Sequence, residues 1–164
     1  MNEETITEFK DEYRFLSNFY TSQVEYEGMT FPTVENAYQA AKTMELGIRR
    51  KFMLCSPAQA KSGGRRVVLR DDWEFVKADI MLNLVNQKFQ QKNLKEMLLE
   101  TGDKILLEGN WWHDNYWGFC MCESCRSKEI VGQNVLGKIL MAVRYELQRS
   151  ELSGNSQVLE TAHQ

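Results

Sequence analysis

Residues 5–9, Thr-Ile-Thr-Glu-Phe, alternate apolar and polar positions and predict a short strand. The alternation returns over residues 24–31, where Glu27-Gly28 supplies a turn and Pro32 a stop, so a small hairpin is expected. Between them residues 13–20 are rich in aromatics without a period and read as a structured loop. Thr33 is a good N-cap for a helix running to about Leu46, with Gly47 as its stop. A second helix is expected over residues 49–54, and Pro57 opens a third over 58–61 that Gly63-Gly64 ends. Residues 67–69 are short and β-prone. Asp71 and Asp72 begin the longest predicted helix, whose stripe of Trp73, Val76, Ile80, Met81, Leu84, Val85 and Phe89 marks it as the centre of the core. Asn93 caps a further helix with Leu94, Met97 and Leu98 inward, and Gly102 ends it. Residues 105–107 read as a strand. Asn134 caps the last helix, striped by Leu136, Ile139, Leu140, Val143 and Leu147, and Gly137 near its start suits the close approach of another backbone.

The pattern predicts an α+β fold, mainly α-helical. A single compact domain over residues 1–149 would pack a small sheet from the N-terminal strands and residues 105–107 on a helical core. Residues 150–164 are polar and unpatterned and are expected to form a disordered tail, which makes His163 a poor catalyst. Composition changes little in this picture. The 164 residues suit one domain, and 43% hydrophobic with 26% charged residues is ordinary for a soluble protein. The net charge of −3 excludes a broad basic surface for nucleic acid and leaves room only for a local patch. The polar, acidic start and the lack of a long apolar run imply no signal peptide and no membrane span, hence a cytoplasmic protein. The four Cys then read as thiols in a reducing compartment.

Chemistry concentrates in residues 108–118, Glu-Gly-Asn-Trp-Trp-His-Asp-Asn-Tyr-Trp-Gly. Three of the four Trp, one of the two His and Asp114 fall in these eleven residues, with no apolar period. Rings around an acid and an imidazole suit a pocket for a flat ligand; the bland alternative is a loop whose Trp plug the core. On the helix after Thr33, Val34, Ala37 and Ala41 give a narrow buried face. Glu35, Tyr38, Gln39 and Lys42 share another face, with Glu35 and Lys42 roughly 10 Å apart along the axis and the lysine leaning back toward the glutamate. Both could reach one ligand, although a solvated charged face is the commoner meaning of such spacing. Arg65-Arg66 after two glycines could hold a phosphate, although surface arginines are usually solvated. Trp73, on a core stripe, packs by default. Cys120, Cys122 and Cys125 form a C-x-C-x-x-C run with His113 as a conceivable fourth zinc ligand. The thiols are crowded and no second pair follows, so the run is read as free thiols and no metal is assigned.

Several segments line up in order: Phe15-Leu-Ser-Asn-Phe19, Phe31-Pro-Thr-Val-Glu-Asn-Ala-Tyr-Gln-Ala-Ala-Lys42, Gly64-Arg65 and Leu69-Arg-Asp-Asp-Trp73, then Thr101-Gly102, Leu107-Glu-Gly-Asn110, Asp114, Trp117-Gly118 and Gly132-Gln-Asn-Val-Leu-Gly137. Over about residues 9–148 they resemble the NADAR family, also called YbiA-like. The resemblance implies an N-glycosidase that cleaves between a ribose anomeric carbon and an amine nitrogen. One branch of the family hydrolyses ribosylaminopyrimidine phosphates, early intermediates of riboflavin synthesis. Another removes ADP-ribose from the amino group of guanine in nucleic acid, as antitoxin to a DarT-type ADP-ribosyltransferase. By the same resemblance Glu35, Trp73, Asp114 and Lys42 match the catalytic set, and Asn18, Arg65 and Asn134 match positions bordering the ligand. The Cys120–Cys125 insert departs from many members.

The residue chemistry fits this implication. Breaking an N-glycosidic bond builds positive charge on the sugar, so a carboxylate beside C1′ and a proton donor for the leaving nitrogen are needed. Asp114 and Glu35 supply two carboxyls; Glu35, near a helix N-terminus, is expected to stay ionised, and which of the two is acid and which base stays open. Trp73 or Trp117 could stack on a base, and Lys42 could form a Schiff base with an opened sugar. Neither route needs a cofactor. The leading substrate is ADP-ribosylated guanine, with the riboflavin intermediates as the alternative. A non-catalytic ADP-ribose or nucleotide-binding module, and a zinc-stabilised interaction domain built on the Cys run, are the readings of another class.

Overall fold

The computed structural model describes residues 4–161, with side chains described to residue 153. Strands are few and short. β1 (Thr5–Ile6) runs parallel to β4 (Ile105–Leu106), as the sequence suggested. β2 (Val24–Tyr26) and β3 (Met29–Phe31) form the expected hairpin, with Val24 opposite Phe31. Its turn residues Glu27 and Gly28 both have positive φ, 45° and 74°, which matches the twist of the flanking strands. β5 (Gly109–Asn110) pairs parallel with β6 (Phe119–Cys120). The three pairs remain separate, so the single small sheet expected from the N-terminal strands is divided. The hairpin packs on helices instead.

Helix α1 (Val34–Ala41) starts where predicted: Thr33 is extended, and its Oγ1 accepts from the Asn36 amide at 3.1 Å. It ends earlier than predicted. α2 (Leu46–Phe52) begins a new helix in which Gly47 is an interior residue rather than a stop. The cause is Arg49, which is 1% exposed and donates from Nε to the Thr43 carbonyl at 2.6 Å. A helix continued through residue 46 would have bent that carbonyl back into its own ladder. Arg49 also pairs with Glu27 of the hairpin turn and lies over the Tyr26 ring. α3 (Pro57–Gly63) has Pro57 in its first turn and a capping box between Ser56 and Gln59. Residues 67–69 form no strand.

Helix α4 (Trp73–Phe89) and helix α7 (Val135–Thr161) pack together at the centre. Trp73, Met81, Leu84, Val85 and Phe89 of α4 are buried, with Val76 and Ile80 partly so. The Asp72 carboxylate pairs with Arg70 and makes no cap bond. Lys88 is also buried, 1% exposed, and donates from Nζ to the Ser17 carbonyl at 2.8 Å; desolvation pulls its pKa down to about 7. α5 (Lys92–Glu100) starts one residue before Asn93. A short α6 (Glu123–Ser127) follows the Cys run and had no periodic signal. α7, not α4, is the longest helix, and it crosses the boundary placed at residue 150. The hydroxyls of Ser150 and Ser153 bond back to the carbonyls of Glu146 and Arg149, and Glu151 pairs with Lys95 of α5 at 3.1 Å. His163 lies outside the described residues.

Gly137 sits in the first turn of α7, against β4. A Cβ there would meet the Leu106 carbonyl oxygen at 2.1 Å, so the close backbone approach read from sequence is real. Gly47, in contrast, has nothing within 4 Å of its would-be Cβ. Urea unfolding should therefore separate the two: Gly137→Ala is expected to lose about 1–3 kcal/mol, and Gly47→Ala to be neutral or to gain up to about 1 kcal/mol. Equal effects would mean that β4 can move away from α7.

Candidate active site

A cavity of about 310 Å³ opens between α1, the loop before it, α3 and the aromatic loop. Its wall is built from distant parts of the chain. Asn18 comes from the loop after a 3-10 helix at Asp11–Leu16, Glu35, Tyr38 and Gln39 from α1 and Lys42 from its C-cap, Lys61 from α3, and Arg65 from the segment that follows. Glu108, Asn110, Trp112, His113, Asp114 and Trp117 come from the stretch between β4 and β6, and Leu136 from α7. The two halves are hydrogen-bonded in place. The Asn18 carbonyl accepts from the Glu35 amide at 3.0 Å, which fixes the loop against the start of α1. On the other side the opening amides of α7 find their partners in the aromatic loop. Val135 and Leu136 donate to the carbonyls of Tyr116 and Trp117, at 3.1 and 3.0 Å.

The aromatic loop is held from within by Asn110, which is 1% exposed. Its Nδ2 donates to the Asp114 carbonyl at 2.7 Å, and its Oδ1 accepts from the Trp112 and Asp114 amides. The Asp114 carboxylate accepts from the Trp117 amide at 2.9 Å, closing a turn that directs the acid to the cavity. Trp117 meets Tyr38 edge to face at 5.3 Å between centroids. Trp111 and Trp112 are more than half exposed, and Lys61 lies over the Trp112 ring.

Three acids and three cations share this space. Burial raises the pKa of Glu35, with the Gln39 amide, which donates to Glu35 Oε1 at 2.8 Å, and nearby Lys61 and Lys42 opposing. Desolvation likewise pushes Glu108 up to about 7. Lys42, half-buried, is shifted down by desolvation. Among the described residues, three buried side-chain oxygens have no hydrogen-bond partner: Asn18 Oδ1, Gln39 Oε1 and Glu108 Oε2. All three belong to residues lining this one cavity. Such atoms are rare in folded proteins and costly, so their convergence marks acceptors shaped for a hydrogen-bond donor.

Glu35, Lys42, Asn18, Arg65, Asp114 and Trp117 are therefore brought together as the sequence suggested. Against the expectation from its place near a helix terminus, burial shifts the Glu35 carboxyl upward from its ordinary pKa. Two other candidates stand elsewhere. Trp73 is 5% exposed and packs behind Tyr38 at 5.1 Å between centroids, with the Lys42 ammonium over its face. It backs the wall and leaves no face for a base. Asn134, at φ 51°, accepts from the Glu108 amide and donates to the Leu106 carbonyl, which makes it a clamp between α7 and β4. Sequence reasoning missed Glu108, Lys61 and Gln39 as site residues. The signal for Glu108 was its place at the head of the aromatic stretch, where it was given no role of its own, and for Gln39 it was the i+4 spacing from Glu35. Lys61 carried none. His113 lines the cavity, yet its Nδ1 faces the sulfurs of Cys120, Cys122 and Cys125.

Comparison with known proteins agrees with this geometry. The NADAR domain model matches residues 6–148. The chain is 34% identical over 152 residues to the N-glycosidase YbiA of Escherichia coli K12, covering 88% of this chain and 90% of that one. It is 35% identical over 144 residues to an N-glycosidase of Nostoc punctiforme, covering 82% and 86%. It also matches a riboflavin biosynthesis protein of Vibrio vulnificus at 34% identity over 142 residues, which is 84% of this chain and 36% of that longer protein. The NMR structure of Escherichia coli YbiA superposes with a TM-score of 0.76 at 31% identity, covering 93% of this chain and 90% of that one. In sequence and in fold alike, the chain belongs to the NADAR domain family.

Proposed function

We propose that this chain is an N-glycosidase that hydrolyses the bond between ribose C1′ and an amine nitrogen. The observation that carries the reading is the convergence of Glu35, Glu108 and Asp114 with unpartnered buried acceptors in one cavity rimmed by Lys61 and Arg65. A module that only binds phosphate gains nothing from three acids facing its ligand. A glycosidase needs them. In this reading Glu108, protonated near neutrality, gives its proton to the departing nitrogen as the C1′–N bond breaks and the electron pair leaves with nitrogen. The Asp114 carboxylate faces the cationic sugar and takes a proton from the water that adds to C1′. Glu35 and Gln39 bind the ribose hydroxyls. The cationic rim receives phosphate.

The leading substrate is ADP-ribosylated guanine in nucleic acid. The half-exposed ring of Trp112, beside Lys61 at the mouth, favours a substrate that extends past the cavity and stacks there. A DarT-type ADP-ribosyltransferase would then be the functional counterpart. A ribosylaminopyrimidine phosphate is the second reading. The cavity is near the small end for ligand sites and holds such a molecule by itself.

An HPLC assay of both substrates tests the proposal. Release of ADP-ribose, or of ribose phosphate, is expected from the wild type. Asp114→Asn and Glu108→Gln should each lower kcat by about 10²–10⁴-fold, with folding unchanged by circular dichroism. Binding of ADP-ribose that survives Asp114→Asn, with turnover of neither substrate by the wild type, would make the domain a binding module. The proton inventory gives a second prediction. A donor carboxyl raised to about 7 is lost as pH rises, so kcat should fall through about pH 7, and Glu108→Gln should abolish that limb. A pH profile that keeps the limb in the variant assigns the acid elsewhere. Lys42, with its lowered pKa, would trap an opened sugar as a Schiff base. Borohydride should then attach the substrate covalently to the wild type and not to Lys42→Met; an active enzyme without adduct removes that route.

A further inference from the structure

The fold closes a set of four soft ligands beside the cavity. His113 Nδ1 lies 3.2 Å from Cys125 Sγ, 3.5 Å from Cys122 Sγ and 3.9 Å from Cys120 Sγ. All four atoms fall within 4.8 Å of one another. A tetrahedral zinc ion with Zn–S of about 2.3 Å and Zn–N of about 2.0 Å sets its ligands about 3.5–3.8 Å apart, and the imidazole–sulfur distances of 3.2, 3.5 and 3.9 Å bracket that separation. The four cysteines are free thiols, so no disulfide explains the cluster. Hydrogen bonds within it point the same way. Each sulfur takes one N–H from the protein: His113 amide to Cys120 at 3.4 Å, Cys125 amide to Cys122 at 3.4 Å, and Asn115 Nδ2 to Cys125 at 3.5 Å. A neutral thiol is a weak acceptor, whereas a metal-bound thiolate needs such donors. The missing second pair, which argued against a metal in the sequence, is supplied by folding. β6 carries Cys120, the cap and first turn of α6 carry Cys122 and Cys125, and the left-handed backbone of His113 (φ 66°) returns the imidazole to them.

We infer that His113, Cys120, Cys122 and Cys125 bind a structural zinc ion. Four protein ligands complete the tetrahedron and leave no position for water, so the ion takes no part in hydrolysis. Its place is mechanical. It ties the loop bearing Trp112 and Asp114 to β6 and α6, one residue from the acid that faces the cavity. The inference stands whatever the substrate of that cavity is.

Elemental analysis of the untagged chain, grown with zinc and purified without chelator, is expected to find about one zinc per chain. Cobalt exchanged for zinc should show thiolate charge-transfer absorption and the strong d–d bands of a tetrahedral site. Cys125→Ser and Cys122→Ser should lose most of the metal, and Cys55→Ser, outside the cluster, should keep it. Stripping the metal should lower the melting temperature and expose three further thiols to Ellman's reagent. Folded wild-type chain that takes up neither zinc nor cobalt, with all four thiols reacting at once, would overturn the assignment. So would a cobalt spectrum of octahedral intensity. The wild-type measurements decide the matter even if the serine variants do not fold.

Discussion

Every residue of α1 is buried, and four of its eight side chains are polar or carry a hydroxyl. A helix in that position must find partners for those groups inside the protein, because an unpaired buried polar atom costs about as much as a hydrogen bond contributes or more. Much of the fold answers that demand. Asn36 donates to the carbonyls of Phe52 and Cys55, which fixes where α2 ends and the turn to α3 begins. Tyr38 is enclosed by Trp73 and Trp117, from α4 and the aromatic loop. Gln39 presses so closely on α3 that a Cβ on Gly64 would lie 1.8 Å from its Oε1. That Oε1 is left without a partner, while the Gln39 Nε2 donates to Glu35 in the cavity wall.

The electrostatics of the site follow from the same burial. Desolvation raises the cost of ionising Glu35 and Glu108, and the Asp114 charge nearby adds to it. Lys42 and Lys61 oppose the shift without forming direct ion pairs with these acids among the described residues. A direct pair would neutralise each acid and fix it as a carboxylate. Cations held a little way off leave Glu108 raised to about 7, which suits a group that must give up a proton near neutral pH.

The local parts of this design were readable in the chain. Thr33 caps α1, Glu27-Gly28 turns the hairpin, and the α4 stripe faces inward, since each depends on residues a few positions apart. The failures all involve long-range partners. Spacing alone made Glu35, Gln39 and Lys42 a solvated face, because nothing in it tells that α3 and the aromatic loop will cover them; only the motif resemblance marked Glu35 and Lys42. Gly47 looked like a stop because Arg49 and its need for the Thr43 carbonyl lie in tertiary structure. Trp73 carried both a motif match and a core stripe, and packing decided its place. Lys88 falls among polar residues of α4, yet the Ser17 carbonyl draws it inside.

The aromatic loop has no core stripe and little regular structure, yet it carries Asp114, the acid that faces the sugar in the proposed chemistry. Such a loop is precise only if its backbone is spoken for. Asn110 binds three of its backbone groups from beneath, and the start of α7 takes the carbonyls of Tyr116, Trp117 and Gly118. Those bonds also satisfy amides that a helix start leaves open, so loop and helix each supply what the other lacks. Gly118 belongs to the same arrangement: a Cβ there would meet the Glu108 carbonyl at 2.2 Å, so the strands β5 and β6 can close beneath the loop only around a glycine. The outer rim, where His113 turns toward the three cysteines, is the one side that neither Asn110 nor α7 reaches. There Asn115 Oδ1 accepts from the Cys120 amide at 3.0 Å and the His113 amide donates to Cys120 Sγ, so the edge is held by Asn115 together with the cluster of three thiols and an imidazole.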